Sequence, residues 1–341
     1  MNMPLTEGNR RALFVSERDC ESLLAGIAQN CTHPELGIFG PQSVNWKINR
    51  ESVLFLGAGR AALLQLAHPW VAAALDQHST LRTNPIGRFH DTFRIVFTMI
   101  FGSLDQAMAA ARHLHALHTR IRGEMPEDVA SYRRGAHYQA NEIGALRWVY
   151  ATLIESAVLA YECALGPLAL DELEQYYAES KRLAGLFGIP APSLPETWEA
   201  FTAYNQQMHA SQTLGVSVGA RAIAESLLAG AGSWIHPPFW YRALTTAWMP
   251  ERFREEFGLK FGVAEQRAFE KAKRRIPAIY RRLPHAIRFT GPWHEAQARL
   301  AHRRIGALAR RSNQFWIGQP QLPFSGKSVL RGAHQQTTIA E

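Results

Sequence analysis

The stretch Asn141–Glu162, NEIGALRWVYATLIESAVLAYE, carries the clearest structural signal in the sequence. Apolar residues recur in it at intervals of three and four, at positions 143, 146, 149, 153, 157 and 160. This spacing places them along one side of an α-helix, where they form a stripe that can pack against a core. Asn141 is a suitable N-cap, and Glu142 falls in the first turn. The Gly166-Pro167 pair is predicted to end the helix.

The same helical period continues along most of the chain. Further helices are predicted near 53–77, 86–102, 104–122, 168–188, 193–209, 213–230, 251–257, 264–282 and 292–312. The sequence contains neither the alternating runs of strands nor long-period repeats. It therefore predicts an all-α fold with a single helical domain. The predicted division is an N-terminal extension with a first helix at 1–44, the helical domain at 45–312, and an irregular tail at 313–341.

The charge of the chain is strongly basic. Its 341 residues include 37 Lys and Arg against 29 Asp and Glu, which gives a net charge of +8 and a pI of about 9.6. Much of the excess lies in late helices whose Arg residues form the outer face. These helices are either a solvated surface or a peripheral contact for anionic lipid. No nucleic-acid-binding motif accompanies the charge, so no nucleic-acid partner is expected.

The cysteines and the N-terminus bear on the compartment. Cys20, Cys31 and Cys163 are too few and too far apart for a disulfide framework or a zinc site. The first residues lack the long apolar segment of a signal peptide, and no run approaches about 18 apolar residues. We therefore expect a cytoplasmic protein without a transmembrane helix, whose membrane contact would be peripheral.

A short glycine motif invites a nucleotide-binding interpretation. Gly57 and Gly59 follow an apolar run, as in dinucleotide-binding loops. The third glycine is missing, however, and no βαβ pattern follows. The two glycines are better interpreted as sites where helices approach closely or begin.

Three histidines fall within six residues of a predicted helix, in Arg112–Gly123, RHLHALHTRIRG. The apolar face of this helix is predicted to contain Ala110, Leu114, Leu117 and Ile121. His118 lies about 60° from the centre of that face, His113 about 80° on the other side, and His115 about 120° away. His118 is thus expected to be the most buried, and His115 to be solvated. A neutral imidazole here suits a haem iron or a core-edge hydrogen bond, and the local pattern alone favours the second.

The preceding predicted helix contains a second polar pair. Arg88 and Thr92 are four residues apart, so they share one helical face with apolar neighbours. A buried guanidinium without a partner is costly. An acidic ligand group such as a haem propionate would satisfy it, and so would a structural Asp or Glu elsewhere in the fold.

Taken in order, several segments resemble one known family. They are GRAALLQLAHPWVAAALDQHS, NPIGRFHDT, HTRIRG, HYQANEIGALRWVYATLIESAVLAYE, YYAESKRLAGLFGIPAPSLPETW and MPERFREEFGL. Their order and spacing, over about 45–305, resemble the haem-dependent oxygenases typified by the bacterial rubber oxygenase (latex-clearing protein). The fungal MpaB-like oxygenases, one of which cleaves a farnesyl side chain in mycophenolic acid synthesis, belong to the same family.

The resemblance implies a cofactor and a set of site residues. The family is all-α with a globin-like helical core around a haem pocket, and it binds haem b. Its proximal iron ligand corresponds to His118, and its Arg-Thr pair near the haem corresponds to Arg88 and Thr92. His68, in LAHP, matches a recurrent family position to which the sequence assigns no role. Tyr150 is carried over as a further candidate cofactor-site residue.

The sequence departs from the family at several points. Rubber oxygenases have a Lys just before the Thr, and Asp91 stands there, so a distal iron contact from this residue is not expected. Many relatives have a His at the position of Tyr150, which could keep a hydrogen bond or fill space. The acidic residue proposed as a base in rubber cleavage has no clear counterpart, since Asp76 and Glu155 are only nearby carboxylates. Polyisoprene is therefore a poor guess for the substrate.

The resemblance predicts an oxidoreductase, a haem b-dependent oxygenase that uses dioxygen on an apolar small molecule. Oxidative cleavage of a C=C bond in a terpenoid, lipid or polyketide would fit, in a pocket lined by Phe93, Phe97, Trp148 and Leu153. One alternative is a haem- or lipid-binding module or sensor without turnover. Another is a helical protein without a cofactor, in which His118 is structural.

Overall fold

The computed structural model describes residues 13–80, 84–230 and 236–323. In these ranges almost all regular structure is helical, which confirms the all-α class; the globin-like arrangement stays a prediction. The α-helices are α1 (Glu17–Gln29), α2 (Val44–Asn49), α3 (Ala58–Leu66), α4 (Pro69–His78), α5 (Pro85–Phe101), α6 (Leu104–Arg120), α7 (Ile143–Leu165), α8 (Leu170–Leu186), α9 (Trp198–Ala210), α10 (Val218–Ala229), α11 (Phe239–Ala247), α12 (Glu251–Glu256), α13 (Val263–Tyr280), α14 (His285–Arg288), α15 (Gly291–Leu300) and α16 (Ala307–Ile317). Short 3₁₀ helices cover Pro34–Leu36, Ser52–Gly57 and Ala191–Ser193.

Helix α7 is the central element of the core. Its buried side chains include Trp148, Tyr150 and Ile154, and it contacts α3, α8 and α13. With 23 residues and a mean hydropathy of 1.3, it is long and apolar enough to cross a membrane. More than half of its most apolar window is buried within the protein, as in a core helix.

The start of α7 differs from the prediction. Its N-cap is Glu142, whose carboxylate accepts a hydrogen bond from the Ala145 amide, and Asn141 is not the cap. The Asn141 amide instead donates to Thr119 Oγ1 at 2.8 Å. Asn141 therefore ties the start of α7 to the last turn of α6, a contact between segments that helix-capping rules do not address.

The segment predicted as one helix at 53–77 contains two breaks. Ser52–Gly57 is a 3₁₀ helix, α3 follows it, and α4 begins at Pro69 after a turn at Ala67-His68. Proline has no amide hydrogen and disfavours helical backbone in the residue before it, so it ends α3 and suits the first position of α4.

One antiparallel hairpin interrupts the helices. Strands β1 (Arg122–Glu124) and β2 (His137–Gln139) pair with Gly123 opposite Tyr138. Each has three residues, too few to show the alternation by which strands are predicted. The hairpin lies against α4 and links α6 to α7.

Several predictions concern the ends of the chain. Helix α16 continues to Ile317, so the expectation of irregular structure from Gln314 is wrong for its first residues. The Trp316 ring stacks on the Phe55 ring, with centroids 3.5 Å apart and planes 3° apart. The rest of the predicted tail, from 324, and the first twelve residues lie outside the described residues.

Gly57 and Gly59 permit close packing, as the sequence interpretation proposed. A Cβ on Gly57 would lie 2.5 Å from the Ser156 carbonyl oxygen of α7. A Cβ on Gly59 would lie 2.7 Å from Thr245 Oγ1 of α11. Helix α7 therefore lies closer to Gly57, and α11 closer to Gly59, than a residue with a Cβ atom would allow.

We predict that Gly57→Ala lowers the free energy of unfolding by about 1–3 kcal/mol, because the Ser52–Gly57 3₁₀ helix and α7 must separate to accept the methyl group. Urea denaturation measures the change. Gly26→Ala in α1 is the matched control, since a Cβ there meets no atom within 4 Å. It should be neutral or stabilising by about 0.5–1 kcal/mol. Equal destabilisation by both variants would contradict the packing role of Gly57.

Candidate functional site

Helices α5 and α6 form an antiparallel hairpin joined by Gly102 and Ser103. Near this turn the two helices are tightly packed: buried positions run from Phe97 to Phe101 in α5 and from Leu104 to Leu114 in α6. Farther from the turn, residues 86–96 and 115–120 are all partly exposed or exposed. We call this second half the open end of the hairpin.

The register of the hairpin brings the predicted site residues together. Arg88 lies 14 residues before Gly102, and His118 lies 15 residues after Ser103. At about 1.5 Å per residue, both lie at the same distance from the turn. The Arg88 charge also lowers the pKa of His118, so the two side chains are near each other at the open end.

His118 combines depth with accessibility. Burial, the positive charge of Arg88 and His115 lower the pKa of its imidazole to about 4. The residue is nevertheless only partly buried. His118 is thus surrounded by protein atoms although part of its surface stays accessible. Within the described residues neither ring nitrogen has a hydrogen bond, so at neutral pH the ring is uncharged with a free lone pair.

The buried face of α6 is rotated from the predicted one. Ala107, Ala111 and Leu114 are buried, and His118 lies on the same stripe. Leu117, which was predicted to be on the apolar face, is 39% exposed. The prediction assumed that leucines mark the centre of the face, whereas α6 packs against α5 through small alanines.

The other two histidines of the cluster lie off the stripe. His113 is exposed, consistent with a residue outside the site. His115 was expected to be solvated but is partly buried, and burial lowers its pKa while Glu17 and Glu21 of α1 oppose the shift. It therefore faces the α1 side of α6.

Arg88 and Thr92 form a bonded pair on α5. Arg88 Nη1 donates to Thr92 Oγ1 at 2.9 Å, and that hydroxyl donates to the Arg88 carbonyl at 3.0 Å. Burial lowers the pKa of the guanidinium, and the negative charge of Asp91 opposes this effect. Asp91 itself is exposed and paired with Arg94 at 2.9 Å. In the part of the chain that the structure describes, Arg88 has no ion-pair partner, so the open end holds an uncompensated cation.

The structure does not join His68 or Tyr150 to this group. His68 is 2% exposed at the N-cap of α4; its Nε2 is 3.5 Å from the Tyr132 hydroxyl, and its Nδ1 has no partner among the described residues. The Tyr150 hydroxyl is buried near Tyr176 and Tyr177 and likewise lacks a partner there. Their contacts are with these side chains, and no described contact links either residue to His118.

Three further residues that were considered from the sequence, Glu155, Phe97 and Trp148, make structural contacts. Glu155 Oε2 forms an ion pair with Arg60 Nη2 at 2.6 Å. Arg60 Nη1 also donates a hydrogen bond to the Ser156 hydroxyl. Phe97 and Trp148 are each 1% exposed in the core, so the prediction that they line a pocket is wrong. The Trp148 ring nitrogen donates to the Leu64 carbonyl.

Sequence reasoning missed a large apolar cavity on another side of α5. Its volume is about 1070 Å³, and its walls come from the Ser52–Gly57 helix, α5, the end of α10, α11, α13 and α16. The signal was available in the stretch Pro237–Tyr241, PPFWY, whose adjacent aromatic residues are uncommon on a helix surface. The convergence of six segments on one cavity could not be predicted, because these segments are far apart in the chain.

The residues at the open end are suited to haem. A neutral imidazole with a free lone pair is the donor that haem iron takes from a histidine. The Arg88 guanidinium is the partner that a propionate needs. Among the described residues no group of three or more His, Cys, Asp or Glu side chains could hold a metal ion.

A comparison with protein families supports the family resemblance of the sequence. The family described as ER-bound oxygenase mpaB/B'/rubber oxygenase, catalytic domain, matches residues 46–289, more than half of the chain. This protein belongs to that family. It is therefore an oxidoreductase of the oxygenase class, and the family implies a small-molecule substrate and dioxygen. Comparisons with curated proteins and with solved structures gave no significant match.

His68 predicts a pH dependence of stability. Its folded-state pKa of about 4 lies below the unfolded value of 6.5, so unfolding takes up a proton as the pH falls between these values. The stability present above pH 6.5 is therefore lost toward pH 4. Relative to His68→Gln, the wild type should lose about 2 kcal/mol more unfolding free energy between pH 7 and pH 5.

Urea denaturation at the two pH values measures this difference. His137→Gln, at an exposed position of β2, is the control and should retain the wild-type pH dependence. If His68→Gln also retained it, the His68 imidazole would not be buried in its neutral form.

Proposed function

We propose that this protein is a haem b-dependent oxygenase that acts on an apolar substrate. The observation that carries the proposal is the partly exposed His118 imidazole, which burial keeps neutral, at the level of the Arg88 cation on the neighbouring helix. Membership of the oxygenase family supports the reaction class, and the donor chemistry of the open end supports the cofactor.

Each residue of the open end has a role in this proposal. His118 holds the iron, and Arg88 holds a propionate by a charge-assisted hydrogen bond. Haem, when bound, supplies the activation of dioxygen. The Thr92 hydroxyl is hydrogen-bonded to Arg88. In this proposal the hydroxyl reorients to bond to a polar group of the haem or substrate.

The residues that neighbour Arg88 and Thr92 indicate the polarity of the substrate. Asp91 is exposed and paired with Arg94, so the position before Thr92 does not direct a charge into the gap. Partly buried apolar residues on the Arg88–Thr92 side of α5 include Ile95 and Val96. Such a lining excludes water and favours an alkene over a polar substrate. Addition of both atoms of dioxygen across a C=C bond, with cleavage to two carbonyls, is the reaction we propose.

A second candidate is a haem- or lipid-binding module without turnover. The observation in its favour is Tyr150, which replaces the histidine of many relatives and has a buried hydroxyl without a partner among the described residues. This residue fills space and performs no evident polar role. Consumption of dioxygen with an alkene distinguishes the two candidates. The cytoplasmic, membrane-peripheral location expected from the sequence stays a prediction.

The first test is an absorption spectrum of protein produced with a haem precursor. We expect a Soret band in the wild type that is lost or shifted in His118→Ala, because His115, the nearest other histidine on α6, faces the α1 side. His113→Ala, on the exposed side of the same helix, should leave the band unchanged. A band unaffected by His118→Ala would move the ligand elsewhere, with His68 next to be tested. If reconstitution with haem gave no Soret band, the oxygenase proposal would be wrong, and the interpretation as a helical protein without a cofactor would remain.

The role of Arg88 is tested by haem affinity. A charge-assisted hydrogen bond contributes about 1.5–3 kcal/mol, so Arg88→Gln should weaken haem binding at least about tenfold. Titration of the apoprotein with haem measures the Kd. Arg120→Gln, which removes the same charge at an exposed position of α6, should have little effect. Equal losses in both variants would indicate only a general effect of net charge.

A further inference from the structure

The apolar cavity beside α5 is the largest feature that the oxygenase site does not use. Its volume of about 1070 Å³ lies at the upper end of the range for small-molecule pockets. Its inner wall is aromatic, with Phe55, Phe89 and Trp316 in mutual contact. A space of this size and composition suits a long apolar chain.

The cavity and the open end of the hairpin use different faces of α5. Pro85, Ile86, Phe89 and His90 of α5 line the cavity, whereas Arg88, Thr92 and His118 are not among its lining residues. At about 100° per residue, the mean directions of the cavity-lining set and of the Arg88–Thr92 pair are about 110° apart around the helix. Because the cavity lining does not include the proposed haem-binding residues, we expect a ligand to bind there without haem.

The mouth of the cavity exposes apolar side chains. Phe239, Trp240, Ile279 and Phe315 line the cavity and are 41–60% exposed. Scattered apolar residues on a protein surface need no explanation, but four around one opening mark a binding surface.

The charges at the cavity are all of one sign. Lys271 and Arg275 lie one turn apart on α13, and both line the cavity. Within the described residues neither has an ion-pair partner, and the described lining contains no Asp or Glu. A ligand that placed an anionic group here and its apolar part inside would satisfy both features.

We propose that this cavity binds the chain of a single-chain amphiphile with an anionic head group, such as a fatty acid. The chain lies against Phe55, Phe89 and Trp316, and the head group pairs with Lys271 and Arg275. This binding does not require His118, so its test is separate from the test of haem binding.

Calorimetric titration with saturated fatty acids of about ten to sixteen carbons tests the apolar part. Each buried methylene should lower the Kd about fourfold until the cavity is filled. The wild type and His118→Ala should give the same series. Ala268→Trp, which places an indole in the cavity wall, should abolish the dependence on chain length. Ala264→Trp, on the same helix at an exposed position outside the lining, is the matched control and should keep it.

The head-group contact is tested by charge reversal. Lys271→Glu with Arg275→Glu should raise the Kd about tenfold, since each exposed ion pair contributes modestly and repulsion replaces it. Lys273→Glu with Arg274→Glu makes the same change of charge on the same helix away from the lining and should have little effect. Equal losses from the two double variants would overturn the head-group assignment.

Sedimentation with vesicles of phosphatidylcholine and phosphatidylserine distinguishes a pocket from a membrane-binding surface. We expect Ala268→Trp to lose fatty-acid binding whether or not vesicle binding persists. No fatty-acid binding by the wild type, or binding unchanged in Ala268→Trp, would overturn the proposal. If only vesicles were bound, and equally by both proteins, the exposed aromatic residues would be a membrane contact.

Discussion

The turn at Gly102 and Ser103 sets the register of α5 against α6, and the position of the candidate site depends on that register. A Cβ on Gly102 would lie 2.4 Å from the Thr98 carbonyl oxygen, so no larger residue fits this turn. Ser103 begins α6 through a capping box with Gln106. Because the turn has two residues, the helices are antiparallel neighbours, and equal distances along them place Arg88 level with His118.

The two halves of this hairpin differ in burial. Ala107 and Ala110 allow close packing beside the turn. At the open end, apart from Pro85 at the very start of α5, neither helix has a fully buried residue. The open end holds a cation, Arg88, and a neutral imidazole, His118, without described ion-pair or metal partners. Such groups are costly unless a ligand satisfies them, which is the physical reason for expecting one.

Helix α5 contributes residues both to the candidate haem site and to the apolar cavity. One face carries Arg88 and Thr92 toward His118, and another carries Ile86 and Phe89 toward the apolar cavity. The aromatic contact between Phe55 and Trp316 closes the inner end of that cavity and ties α16 to the 3₁₀ helix before α3. A single helix therefore lines both the polar site and the apolar one.

The sequence by itself determined the all-α class and the family, and it singled out His118, Arg88 and Thr92 as candidate site residues. These signals are local: helical periodicity, side chains four residues apart, and short motifs in a fixed order. It misplaced the buried face of α6, and it assigned Phe97 and Trp148 to a pocket although both lie in the core. It also did not reveal the cavity lined by six segments. Only the tertiary structure decided these points, because burial and cavities arise from packing between segments that are distant in the chain.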